Sequence, residues 1–259
     1  MSADRGEGES GEPDPARRDP GWGPFVVAGM HWGFLTFFAA VGGFYLVALV
    51  LGALLSGDSG LVSATSTPDL GPVVLLAFLP NLLLGIVPML GSWRWGAGLR
   101  VDFGILPGKR ELVVGLACGG FALLAAYLVN LILLAARGQD EVRDPLAELS
   151  RLAGDEAAWL VAIALFTVIG APLTEELLLR GGLWNALEHY RVPRYAILGL
   201  TALVFAFLHE EPARTPALIV QGLAIGAARM ITGRTSASIV AHAANNLVPA
   251  LALLQVAAG

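Results

Sequence analysis

Long stretches without charged side chains constrain this chain more than any other feature of its sequence. Each stretch approaches the ~20 apolar residues that an α-helix needs to cross a bilayer core. Hydrophobic residues make up 56% of the 259 residues and charged residues only 14%, unlike a soluble domain. The pattern predicts an all-α fold, a polytopic transmembrane helix bundle of about seven spans with a buried polar active site. The seven runs are Trp32 to Ser56, Gly71 to Trp93, Leu112 to Ala136, Trp159 to Thr174, Tyr195 to Leu208, Thr215 to Ala228 and Thr235 to the C-terminus.

Charge distribution divides the chain and orients it. Residues 1–24 are rich in Gly, Pro, Asp and Glu, which predicts a disordered cytoplasmic tail before N-terminal transmembrane helices over 25–154 and a membrane core over 155–259. With the N-terminus inside, 12 of the 16 Lys and Arg residues fall on the cytoplasmic side. The single lysine and the Ala/Gly richness indicate a GC-rich bacterial gene. We therefore expect a multi-pass protein of the bacterial cytoplasmic membrane with its N-terminus in the cytoplasm.

Ionisable groups enter the apolar runs almost only in the second half of the chain. Such groups cost several kcal/mol inside a bilayer unless paired or hydrated, so each indicates a functional site. Glu175 follows the fourth run directly, and its side chain points about 100° away from that of Glu176 on a helix. Three further pairs are spaced four residues apart, on one helical face each. They are Glu176 with Arg180, Phe205 with His209, and His242 with Asn246.

These polar groups suit peptide hydrolysis inside the membrane. At ~1.5 Å of rise per residue, Glu175, His209 and His242 can reach similar depths in the cytoplasmic half of the bilayer. A carboxylate and an imidazole sharing a water favour general-base hydrolysis, which assigns water activation to Glu175 and His209. The hydrogen-bond donors His242 and Asn246 would then stabilise the oxyanion of the tetrahedral intermediate.

The strings EELLLR, FAFLH and HAANN occur in this order, and together they resemble the signatures of the CAAX-protease and bacteriocin-processing (CPBP) family. The resemblance covers roughly residue 155 to the C-terminus and implies a type II CAAX prenyl endopeptidase-like core. It implies an intramembrane endopeptidase whose partners are the lipid bilayer and a peptide or protein substrate, membrane-associated substrates included, and no nucleic acid. Bacteriocin immunity or peptide maturation is the role that bacterial relatives suggest. The matching positions are Glu175, Glu176, Arg180, Phe205, His209, His242 and Asn246.

A zinc-dependent form of the same protease is the first alternative. Glu175, His209 and His242 would supply three ligands with an open fourth position. The zincin His-Glu-x-x-His string is absent, because the residues after His209 read Glu-Glu-Pro-Ala. We favour a metal-free glutamate mechanism and expect no cofactor.

Other mechanisms have weaker support in the sequence. The residues Gly57 to Gly60 match the Gly-x-Ser-Gly string of rhomboid-type proteases, but Gly- and Ser-rich loops produce such strings often. No aspartate lies in any apolar run, which argues against an aspartyl protease. A non-catalytic membrane scaffold or immunity protein stays open, and so does a transporter, although the chain shows no internal repeat.

Overall fold

The computed structural model describes residues 30–56, 76, 78–137 and 157–256. All regular secondary structure in these ranges is helical, which confirms the predicted all-α membrane bundle. The expected tail, residues 1–24, and the string from Gly57 to Gly60 lie outside the described residues. The helices are α1 (Trp32–Ser56), α2 (Asn81–Trp95), α3 (Leu99–Asp102), α4 (Lys109–Arg137), α5 (residues 157–189), α6 (Arg194–Leu208), α7 (Thr215–Thr232) and α8 (Thr235–Val256).

Five of the described helices are long and apolar enough to cross a membrane: α1, α4, α5, α7 and α8. Helices α2 and α6 have 15 residues each. At ~1.5 Å per residue this length corresponds to about 22 Å, which is less than the ~30 Å thickness of a bilayer core. The predicted runs all contain helix, but the count of seven spans is not confirmed.

Helix α5 carries two stretches of π-helix within one continuous rod. Its α-helical parts are Ala157–Leu165, Ala171–Glu176 and Trp184–His189, and the π-helical parts are Phe166–Gly170 and Leu177–Leu183. Neither Pro172 nor the two glycines that follow Arg180 end the helix. Their disturbance of the hydrogen-bond pattern is absorbed in the wider π turns, which often occur at functional sites.

Small residues allow α4 to approach α8 closely. Gly115 and Gly119 form a Gly-x-x-x-Gly pair on α4, a pattern that lets membrane helices pack backbone against backbone. A Cβ atom added to Gly115 would lie 2.7 Å from the Cβ of Val240, and one added to Gly119 would lie 2.8 Å from the Cβ of Ala244. This packing fixes α8, and with it the positions of its polar side chains.

The second π stretch of α5 runs through the most tightly packed part of the bundle. Leu177, Leu178 and Leu179 are at most 1% exposed. Leu178 and Leu179 pack with residues of α1, α2, α6 and α7 in one hydrophobic cluster. Glu175, Glu176 and Arg180 therefore lie beside a close-packed core rather than at a fraying helix end.

Candidate active site

Two adjacent glutamates of α5 lie in different surroundings. Glu176 is fully buried, whereas the side chain of Glu175 is 17% exposed. Both residues end the short α-helical part Ala171–Glu176, immediately before the second π stretch. Each carboxylate has a buried Oε2 atom with no hydrogen-bond partner in the described part of the chain. The Glu176 carboxylate is thus shielded from water, whereas the Glu175 side chain is partly accessible to it.

Glu176 belongs to a buried cluster of charged and aromatic groups. Its Oε1 atom accepts hydrogen bonds from Arg180 Nη1 at 2.9 Å and from His242 Nδ1 at 3.1 Å. Arg180, also fully buried, donates through Nη2 to the carbonyl of Gly222 at 2.7 Å. Its guanidinium carbon lies 5.3 Å from the centre of the Phe205 ring. Each side chain in this cluster therefore contacts at least two other groups of the protein, counting the Gly222 carbonyl.

Glu175 faces His209, the residue that follows the last turn of α6. The Glu175 Oε2 and His209 Nε2 atoms are 4.0 Å apart. His209 Nδ1 lies 2.7 Å from the carbonyl oxygen of Phe205, which can only accept, so the imidazole proton is on Nδ1. The lone pair of a neutral His209 is therefore on Nε2, directed toward the Glu175 carboxylate.

The Phe205 ring connects these two groups. Its centre is 4.5 Å from the His209 ring and 5.5 Å from the His242 ring, the latter in an edge-to-face arrangement. Phe205 itself is 2% exposed. The aromatic side chain separates the two imidazoles and fixes their distance.

Asn246 lies one helical turn after His242 on α8. Its Nδ2 atom donates to the backbone carbonyl of Thr167 in the first π stretch at 3.0 Å. Its Oδ1 atom accepts from Asn245 Nδ2 at 2.9 Å, and Asn245 Oδ1 accepts in turn from Gln221 Nε2 at 3.1 Å. The amide is thereby attached to α5 and α7.

The structure thus gathers six of the seven predicted residues into two neighbouring groups, and Asn246 binds Asn245 and Thr167 instead. Glu175 pairs with His209, while Glu176, Arg180 and His242 form the buried cluster, and Phe205 packs against both groups. Contacts that the sequence reading did not anticipate involve Thr167, Gly222 and Gln221. Of these residues, only Gln221 could have been recognised from the sequence, because it is the one side-chain amide of α7.

A metal centre does not fit this arrangement. In the described ranges, no group of three or more His, Cys, Asp and Glu side chains is placed to hold a metal ion. Glu175 and His209 face each other, but His242 turns its Nδ1 to Glu176. Of the three residues considered as zinc ligands, Glu175 and His209 therefore lie together, whereas His242 binds Glu176.

Comparison with known proteins identifies the part of the chain that carries this site. Residues 157–248, just over a third of the chain, match the family described as type II CAAX prenyl endopeptidase Rce1-like. No curated protein and no solved structure matches the chain. The matched residues run from the start of α5 into α8 and include both polar groups. The resemblance inferred from the three motifs is thus confirmed over residues 157–248, which are similar to the type II CAAX prenyl endopeptidase Rce1-like family.

Proposed function

We propose that this protein is an intramembrane endopeptidase of the CAAX-protease and bacteriocin-processing type. Water activated by Glu175 and His209 attacks a peptide carbonyl, and His242 and Asn246 stabilise the resulting oxyanion. The substrate is a peptide or a membrane-associated protein, and the enzyme lies in the bacterial cytoplasmic membrane with its N-terminus in the cytoplasm. The Glu175–His209 pair is the observation that carries this proposal.

The spacing of the pair suits a shared water. A gap of 4.0 Å is too long for a direct hydrogen bond but matches two bonds of about 2.8 Å that meet at a right angle. The Glu175 side chain is 17% exposed and its Oε2 atom has no protein partner in the described residues, so a water bound at this carboxylate would satisfy it. Such a water could lose a proton to the carboxylate while the lone pair on His209 Nε2 orients it.

His242 and Asn246 supply the hydrogen-bond donors for the oxyanion. His242 donates through Nδ1 to Glu176, so its Nε2 atom donates to the oxyanion when the ring carries a proton on both nitrogens. Arg180 holds the Glu176 carboxylate in place beside that ring. Asn246 Nδ2 carries a second hydrogen that its bond to Thr167 does not use.

Replacement of Glu175 tests the proposal directly. The variants Glu175→Gln and the control Glu188→Gln, an exposed glutamate of the same helix, are reconstituted into liposomes. The probes are fluorogenic peptides with and without a C-terminal prenylcysteine. We expect Glu175→Gln to lose turnover by about 10²- to 10⁴-fold, the usual contribution of a general base, with the melting temperature retained. Glu188→Gln should cleave like the wild type.

Three results would contradict the proposal. Full turnover by Glu175→Gln excludes Glu175 as the base. Loss of wild-type turnover in a chelator, restored by zinc alone, would support the zinc-dependent alternative. Peptide binding without cleavage by the wild type would support a scaffold or immunity protein.

A further inference from the structure

A chain of three side-chain amides crosses the domain beside the proposed oxyanion site. It runs from Gln221 on α7 through Asn245 and Asn246 on α8 to the carbonyl of Thr167 on α5, with donor–acceptor distances of 3.1, 2.9 and 3.0 Å. Asn245 is 5% exposed. Burying a side-chain amide in an apolar span costs free energy. An aliphatic side chain would fill these positions at a lower cost if packing were their only role.

The end of this chain is created by the first π stretch. In a regular α-helix, the Ala171 N–H would bond the carbonyl of Thr167. Here the Ala171 N–H bonds the carbonyl of Phe166, and the next residue, Pro172, has no N–H to offer. The Thr167 carbonyl is therefore left for Asn246 Nδ2.

One backbone carbonyl sets the direction of every bond in the chain. Because the Thr167 oxygen can only accept, Asn246 must present its NH₂ group to α5 and its Oδ1 to Asn245. Asn245 must then donate to Asn246 and accept from Gln221, so Gln221 must donate. A reversed Asn246 amide would place oxygen against oxygen at Thr167 and would turn its donor away from the oxyanion.

We propose that Gln221 and Asn245 are positioning residues that hold the Asn246 amide in its donating orientation. The proposal rests on the function proposed above and adds two residues that are not among the matching positions of the three motifs, although Asn245 lies within the HAANN string. Neither residue touches the reacting atoms. The Thr167 carbonyl sets the direction of the Asn246 amide, and Asn245 and Gln221 hold that amide in place before the substrate arrives, which is how preorganised donors gain their effect.

The test is a double-mutant cycle on turnover by the reconstituted full chain, with the fluorogenic peptides named above as substrates. The variants are Gln221→Leu, Asn246→Ala and the double variant. Ser238→Ala removes a buried hydroxyl of α8 that has no hydrogen-bond partner in the described residues, and serves as the control. We expect kcat to fall about 10-fold in Gln221→Leu with KM nearly unchanged, and about 10²-fold in Asn246→Ala.

If Gln221 acts through Asn246, the double variant loses no more than Asn246→Ala alone, because effects within one unit are not additive. Multiplied losses, or an unchanged kcat in Gln221→Leu, would overturn the proposal. Ser238→Ala should cleave like the wild type. If Gln221→Leu does not fold, Gln221→Met keeps the length of the side chain and removes its donor, and the same loss is expected.

The two proposals can fail separately. Full activity in Asn246→Ala contradicts the oxyanion role itself, whereas a defect in Asn246→Ala with none in Gln221→Leu contradicts only the positioning role. If the wild type cleaves no probe, the proposed function fails. The same cycle measured on melting temperatures then tests the hydrogen-bonded chain, and additive shifts would overturn it.

Discussion

Replacing Arg180 with methionine should destabilise the protein strongly, because it leaves a buried carboxylate without its cationic partner. Arg180 and Glu176 are both fully buried and are joined at 2.9 Å. Removing one partner of such a pair costs about 3–5 kcal/mol. At about 2–4 °C per kcal/mol for a chain of this size, the melting temperature should fall by roughly 6–20 °C.

An exposed ion pair of the same chain provides the control. Arg214 and Glu211 are joined at 2.7 Å, but their side chains are 24% and 27% exposed. Surface pairs contribute about 0–1 kcal/mol, so Arg214→Met should lower the melting temperature by at most about 4 °C. Both variants would be followed in detergent by tryptophan fluorescence and size-exclusion chromatography.

The double variant Glu176→Gln/Arg180→Met separates charge from packing. It removes the stranded charge, so it should recover at least half of the melting-temperature loss seen in Arg180→Met. The reasoning is refuted if Arg180→Met melts like Arg214→Met, or if the double variant is less stable than Arg180→Met. Either result would mean that Glu176 is neutral or hydrated in the folded protein.

Two further predictions concern helix packing and pH. Gly119→Val should lower the free energy of unfolding by about 1–3 kcal/mol, because the new Cβ would lie 2.8 Å from the Cβ of Ala244. Gly120→Val is the control: its side chain would face open space, and its thermal unfolding should match the wild type.

Burial, with the nearby His189, lowers the pKa of His31 from 6.5 to about 4. Between these pH values the unfolded chain therefore binds a proton that the folded chain does not. The melting temperature should therefore fall as the pH drops from about 6.5 to 4, and His31→Gln should lessen that fall; an equal fall in both proteins would contradict this assignment.

Hydropathy predicted the helices well because the bilayer imposes their length and composition. The run from Trp32 to Ser56 coincides with α1, and the run that begins at Thr215 starts α7 and ends only four residues short of it. The same reasoning could not separate full spans from the shorter α2 and α6. Apolar composition sets whether a segment is buried in lipid or protein, but not how far its helix extends.

The motifs located the polar side chains, and their spacing predicted the Glu176–Arg180 ion pair, but not the contacts between different helices. Adjacent residues on a helix point about 100° apart, so the sequence alone could not tell whether His242 meets Glu175 or Glu176. The answer depends on the wide turns of α5 and on the approach of α8, which Gly119 permits. Hydrogen-bond register within a helix leaves no mark on hydropathy, and for this reason the π stretches and the Thr167 carbonyl escaped prediction.

In the proposed mechanism, the two adjacent glutamates would place both halves of the hydrolytic site on one helix. A base must reach water, and Glu175 keeps 17% of its side chain exposed beside a half-buried imidazole. Hydrogen-bond donors to an oxyanion are most effective where water is excluded, and Glu176, which binds the proposed donor His242, lies wholly inside the protein. The turn of about 100° between neighbouring residues directs one carboxylate to each environment. A Glu-Glu pair would therefore serve both roles from one helix, without a second acidic helix whose burial in the membrane would carry a further free-energy cost.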